Sequence, residues 1–335
     1  MDERTLNERT TFEPALPGPG GPEVAQHPVS YVTRKLPHVT VVFWILKIAA
    51  TTLGETGGDL LAQTLKVGYL TSTLIFFAMF LVSVVFQLRA RRFHPAIFWT
   101  VIVTTSTAGT TMSDFMNRTA GLGYTLGALI LTTCLAVIFM IWWRSGQTLD
   151  VENVATFKGE MLYWVAILFS NTLGTSSGDF LADDAGVGFR NGFLLLAGIM
   201  ALLAAAHYLT NINGTLLFWV AFVLTRPLGA TAGDSLSKPL DHGGLNWGTE
   251  GTSAALLGIL VVLAVYQIMH LRRHPLEPVP APVNRRTGAP EQLNDDRIVV
   301  PVPRSAEAPG ASVALDGAPA RPRHIPRSLA TEPES

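Results

Sequence analysis

Four aspartates, Asp59, Asp114, Asp179 and Asp234, each stand fifteen residues after a tryptophan (Trp44, Trp99, Trp164, Trp219) and five after a glycine (Gly54, Gly109, Gly174, Gly229). Nine residues beyond each aspartate comes a second glycine: Gly68, Gly123, Gly188 and Gly243. Counting back from each aspartate in fours follows one face of a helix. The residues met are Thr51 and Glu55, Ser106 and Thr110, Asn171 and Thr175, and Arg226 and Ala230, with Lys47 one turn further back in the first copy. Carboxylates, hydroxyls and amides without histidine or cysteine form an oxygen-only donor set. Such a set suits hard cations such as magnesium, calcium or manganese better than zinc or copper.

If these faces converge with every group ionised, the five carboxylates outweigh Lys47 and Arg226 and leave a net charge of -3. That balance favours a cation, and crowded acids that titrate would couple protons to its movement. The candidate ion-binding residues are therefore Asp59, Asp114, Asp179, Asp234, Glu55, Thr51, Thr110, Thr175, Asn171 and Arg226, with the four aspartates as metal ligands. A structural reading stands beside this one. Ser-Asp or Gly-Asp ahead of a glycine-rich connection can cap a helix or bond local backbone, and a fold repeated four times repeats such bonds. Glu55 and Arg226 occur once each, so repeated architecture does not require them. Arg226 is read as a counter-ion for Asp234 or for an acid of a neighbouring copy, or as a substrate contact.

The elements that position these groups follow from the apolar pattern. Residues 69–88, 122–143, 191–209 and 251–271 contain no Asp, Glu, Lys or Arg, and about 20 residues cross a hydrocarbon core. Each Trp-x9-Gly-x4-Asp-x8-Gly unit thus holds two spans, an odd one with the polar face and an even one of nearly pure hydrocarbon. The odd spans are expected near 39–62, 94–117, 159–182 and 214–236. The copies start 55, 65 and 55 residues apart, so residues 144–160 separate two halves of two units. The fold class is all-α: a polytopic membrane protein of eight transmembrane helices in four parallel two-helix repeats, at about 40–92, 95–147, 160–209 and 215–271. Ionisable side chains in hydrocarbon are costly, so the odd faces should turn inward and the even helices outward to lipid. The tryptophans are expected as interface anchors, and Pro227 as a kink.

Arg34 and Lys35, Arg89, Arg91 and Arg92, Arg144 and Lys158, and Arg272 and Arg273 flank the starts of the units and the end of the last one. By the positive-inside rule these ends and both termini face the cytoplasm. The 335 residues are 48% hydrophobic and 15% charged, where soluble chains carry about 25% charged residues. A net charge of -1 without a basic stripe speaks against nucleic-acid binding. The lone Cys134 allows no internal disulfide. Residues 1–38 form a polar arm without the apolar core of a cleavable signal peptide. Residues 272–335, with 12 of the 21 prolines, are expected to be disordered.

The four-copy pattern over residues 40–271 resembles a bacterial membrane-protein family built from four tandem repeats of unknown function, often called membrane-anchored proteins. The resemblance implies a multi-pass inner (plasma) membrane protein and no particular activity. Gly54-Glu55-Thr56-Gly57-Gly58-Asp59 also resembles the Glu-x-Gly-Asp signature of membrane calcium and manganese exchangers. It departs from that signature in setting the acids one residue further apart, with no Lys/Arg-Ser/Thr after them.

The functional expectation is a secondary transporter or channel for a small, divalent cation, with the lipid bilayer as its surroundings and no resident cofactor beyond such a cation. The alternative is a non-transporting scaffold or sensor with structural aspartates. Without HExxH, a histidine-rich metal motif or a serine elbow, no enzyme is expected.

Overall fold

The computed structural model describes residues 31–154, 156–240, 244–277, 279–280 and 299–300. Gly243, Asp241 and His242 lie outside the described residues, as do residues 1–30 and most of the tail. Eight long helices occur among the described residues: α1 (Val41–Asp59), α2 (Tyr69–Arg89), α3 (Pro95–Asp114), α4 (Tyr124–Arg144), α5 (Phe157–Asp179), α6 (Phe189–Leu209), α7 (Gly214–Ser237) and α8 (Gly248–Arg273). The starts carry the expected signals. The Thr40 hydroxyl accepts from the Phe43 amide, Pro95 opens α3, Thr156 caps α5 and Asn213 caps α7. Gly68, Gly123 and Gly188 precede α2, α4 and α6 with φ of 85°, 72° and 77°, which accounts for the second glycine of the unit.

Past the aspartates, α1, α3 and α5 do not stop. Each winds on through a π-helical turn, Leu60–Thr64, Phe115–Thr119 and Phe180–Asp184. The fourth copy differs: α7 ends at Ser237 with Lys238 in an extended conformation. Pro227 lies inside α7, which runs unbroken through it.

The odd helices close into a ring, α1 against α3, α3 against α5, α5 against α7, and α7 back against α1. Each even helix packs on the odd helix of the next copy, α2 on α3, α4 on α5, α6 on α7, and α8 on α1. The ring needs close backbone approach. A methyl group at Gly54, Gly109, Gly174 or Gly229 would overlap Ser106, Asn171, Arg226 or Thr51, which is always the residue eight before the aspartate of the neighbouring copy. Five helices, α2, α4, α6, α7 and α8, are long and apolar enough to cross a membrane. The polar faces of α1, α3 and α5 dilute their hydropathy.

The tryptophans correct one expectation. Trp99, Trp164 and Trp219 are 2%, 2% and 7% exposed and belong to the core, and the half-buried Trp44 packs against it, so they are packing residues and not peripheral anchors. Each follows by one residue the aromatic that continues the inward four-residue face, Phe43, Phe98, Tyr163 or Phe218, and so packs between helices. Each meets an aromatic of the preceding copy: Phe43–Trp99 at 5.8 Å, Phe98–Trp164 at 5.8 Å, Tyr163–Trp219 at 6.2 Å and Phe218–Trp44 at 5.7 Å between ring centroids. The Nε1 of Trp99 donates to Gln267, and that of Trp219 to the Leu149 carbonyl.

The arm is also more integrated than its polarity suggests. Lys35, Leu36 and Pro37 are buried. Lys35 pairs with Glu160 at 2.5 Å, and Arg34 and His38 each lie 3.2 Å from Glu152. The 144–160 linker thus anchors the arm. Tyr31–Val32 pairs antiparallel with Val279–Pro280 and with Val299–Val300. These four tail residues, expected without structure, gain strand pairing because the arm offers them backbone partners.

Candidate functional site

The inward face of the odd helices stacks polar residues in layers one turn apart. The lowest holds Lys47, fully buried, with its ammonium 4.1 Å from the centre of the Phe222 ring and no hydrogen-bond acceptor. Ile102, Ile167 and Phe222 complete that layer, so a cation–π contact is what α7 offers the charge.

Above it, Arg226 crosses the centre of the ring. Its Nη1 donates to the Thr51 carbonyl (2.9 Å), and its Nη2 to the Ser106 carbonyl (3.1 Å), the Thr175 hydroxyl (2.8 Å) and the Thr110 hydroxyl. One side chain from α7 therefore binds α1, α3 and α5 together, which places it on the axis. Its ion partner is Glu55, Nη2 to Oε2 at 3.2 Å, and Thr110 and Thr175 each donate to that same oxygen at 3.1 Å. Of the roles read for Arg226, the structure shows the counter-ion to an acid of a neighbouring copy. Asn171 lies at the level of Arg226, fully buried, with neither amide atom hydrogen-bonded.

The aspartate layer is next. Asp59, Asp114, Asp179 and Asp234 are 2–3% exposed. They do not cap the turns that follow them, since Asp59, Asp114 and Asp179 make no side-chain cap bond there. Instead they fall into two pairs. Lys238 lies 3.3 Å from Asp59 and 3.5 Å from Asp234. Arg118 lies 3.1 Å from Asp114 and 3.7 Å from Asp179. Asp59 also accepts from Gln63 at 2.5 Å.

Gln63, Arg118, Asp183 and Lys238 all stand four residues after an aspartate. The same four-residue step that marks the lower layers, taken forward, reaches the two basic residues that the sequence reading missed. The site is therefore a two-fold arrangement nested in the four-fold ring, with a basic bridge at α3/α5 and another at α7/α1.

The four aspartates do not form one ligand sphere. Among the described residues, the set whose carboxylate oxygens lie close enough to share an ion, within 4.8 Å of one another, is Glu55, Asp59 and Asp234. Asp114 and Asp179, at the ends of α3 and α5, are not in that set and share Arg118 instead. The donor chemistry of the trio is all carboxylate and fits a hard cation.

Fold and site together define an all-helical protein of four tandem two-helix repeats, whose odd helices enclose a buried, charged axis. The chain belongs to the family described as Repeat of Unknown Function (DUF347), whose pattern matches four times, at residues 42–93, 97–148, 162–213 and 217–272. Each match opens two residues before a repeat tryptophan. No curated protein and no solved structure matches the chain.

Proposed function

We propose that this protein spans the bacterial inner membrane eight times with both termini in the cytoplasm, and that it is a secondary transporter for a small divalent cation, not an enzyme. The observation that carries the reading is the buried carboxylate layer. Five acids that fix no helix end outnumber the three cations in contact with them, Arg226, Arg118 and Lys238, by two charges, and Lys47 lies below. A buried excess of negative charge needs protons or a cation to balance it. Glu55, Asp59 and Asp234 are the ligands that a cation would share. The Arg226–Glu55 pair and the aromatic layer fill the axis, which supports a carrier that changes conformation over an open channel.

The membrane setting is supported by the five apolar helices and by the outward apolar faces of the even helices, such as Leu74, Val82, Leu129 and Val262, each 59% exposed or more. The outer helices α2, α4, α6 and α8 then meet lipid, and α1, α3, α5 and α7 are shielded by them.

Uptake of Mn²⁺ by the purified protein in liposomes tests the proposal. Asp59→Asn and Asp234→Asn should each abolish uptake while keeping the melting temperature within a few degrees. Unchanged flux would overturn it.

A second reading, a scaffold or sensor that displays its tail, draws on the finding that every aspartate has a cation within 3.7 Å. For that reading, removal of residues 276–335 abolishes function and the aspartates are dispensable.

A further inference from the structure

The two basic bridges of the carboxylate layer are not equivalent. Arg118 sits in a π-helical turn that continues α3, and its planar fork lies across Asp114 and Asp179. Lys238 has no such turn beneath it. It follows the last residue of α7, its backbone is extended at φ -66° and ψ 154°, and its side chain reaches back to the aspartates from the connection to α8. An arginine fork is weakly hydrated and geometrically fixed, whereas a lysine ammonium is a compact, strongly hydrated point charge on a flexible stem. Of the two, Lys238 is the closer mimic of a small hard cation.

Its position matches that description. The ammonium lies between Asp59 and Asp234, two of the three acids that could share an ion. The third, Glu55, stands four residues before Asp59 on α1, whereas four before Asp114 and Asp179 stand the uncharged Thr110 and Thr175. The bond network around the ammonium is incomplete. Asp234 is 3% exposed, and its Oδ1, facing Lys238 at 3.5 Å, accepts no hydrogen bond. That oxygen is a buried acceptor left for a ligand closer than the lysine comes. Asp114 Oδ1 and Asp179 Oδ2, which face Arg118, also accept no hydrogen bond, but unlike them it belongs to the trio that could share an ion.

We infer that Lys238 is a tethered cation that holds the Glu55–Asp59–Asp234 site in the absence of substrate, and that an entering divalent cation must displace it. This inference rests on the cation-carrier reading and adds the residue that sets its affinity. Displacement swings the lysine towards the connection between α7 and α8, and the site exchanges one internal positive charge for two external ones. When the cation leaves, the ammonium returns and the carboxylates are not left bare.

The test is Mn²⁺ binding to the full-length protein in detergent, followed by electron paramagnetic resonance of the free ion, for wild type, Lys238→Gln and Lys238→Arg, with thermal melting as a folding check. Removing the competitor should tighten binding at least about tenfold in Lys238→Gln, the factor that about 1.4 kcal/mol gives. Lys238→Arg, which keeps the charge, should stay within about threefold of wild type. Equal affinity in wild type and Lys238→Gln overturns the tethered cation and leaves the cation site standing. No binding by any of the three overturns the site itself and this inference with it. If Lys238→Gln melts too low to assay, Lys238→Met supplies the neutral variant, and the same comparison with Lys238→Arg decides the matter.

Discussion

Arg226 Nη2 lies 3.2 Å from Glu55 Oε2 on the axis of the ring, both side chains almost fully buried, and the two residues come from the last and the first repeat. The pair links the ends of the repeat array and joins four helices through Thr110, Thr175 and the Thr51 and Ser106 carbonyls. Breaking one half of a buried pair leaves a bare charge and costs about 3–5 kcal/mol. Arg226→Gln should therefore lower the melting temperature sharply. The double variant Arg226→Gln with Glu55→Gln should regain a large part of the loss. A double variant no more stable than the single one would show that the guanidinium bonds to the carbonyls, and not the ion pair, hold the axis.

The two sides of the carboxylate layer should respond differently. Asp59→Asn removes a member of the ion-sharing trio and should abolish Mn²⁺ uptake. Asp114→Asn leaves the trio intact and deprives Arg118 of its 3.1 Å partner, so it should reduce stability more than it reduces flux. Uptake rates and melting temperatures measured on the same preparations separate these effects. Equal loss of uptake in both variants would mean that the four aspartates act as one site.

Glycine substitutions report how tightly the ring closes. A methyl group at Gly109 would come within 2.9 Å of the Asn171 carbonyl carbon and the Thr172 nitrogen. Backbone cannot yield as a side chain does, and such overpacking costs about 1–3 kcal/mol. At Gly57 the nearest atom would be 4.0 Å away, and there alanine should be neutral or stabilise the helix by up to about 1 kcal/mol. Melting curves of Gly109→Ala and Gly57→Ala should thus move in opposite directions, or the second not at all.

Glu152 ties the arm to the linker and should impart acid sensitivity. Partial burial pushes its carboxyl up, but the hydrogen bond from the Val39 amide and the contacts with Arg34 and His38 outweigh this and hold it below its ordinary value of 4.5. A depressed carboxylate contributes stability that is fully present above 4.5 and is lost as the pH falls through its lower folded value. The wild type should lose stability in that acidic range more steeply than Glu152→Gln. Parallel curves for the two proteins would exclude Glu152 as a source of the effect.

The topology can be read with single cysteines on a Cys134→Ser background, using an impermeant maleimide on intact cells. Asp184→Cys, exposed after the third aspartate, should label from outside, and Arg92→Cys only after permeabilisation. The reverse pattern would invert the orientation.

Much of this protein was legible without coordinates. A run of 20 apolar residues must be a helix, an exact spacing repeated four times must be a repeated unit, and a polar stripe at four-residue steps must turn away from hydrocarbon. Those arguments involve only local periodicity and solvation, and the all-helical fold, the eight helices and the inward aspartates follow from them. What the tertiary structure decided is neighbourhood. That α7 closes on α1, so that Arg226 meets Glu55 and Lys238 meets Asp59, depends on packing between elements more than 170 residues apart. No spacing encodes that contact. The same cause explains the tryptophans, whose amphipathic rings suit an interface equally well until the ring of helices sets each against an aromatic of the preceding copy. It also explains why four equivalent aspartates became two pairs. Each basic residue stands four places after one aspartate of its own copy, Arg118 after Asp114 and Lys238 after Asp234, but which second aspartate it reaches, Asp179 or Asp59, is set by which helix lies beside which.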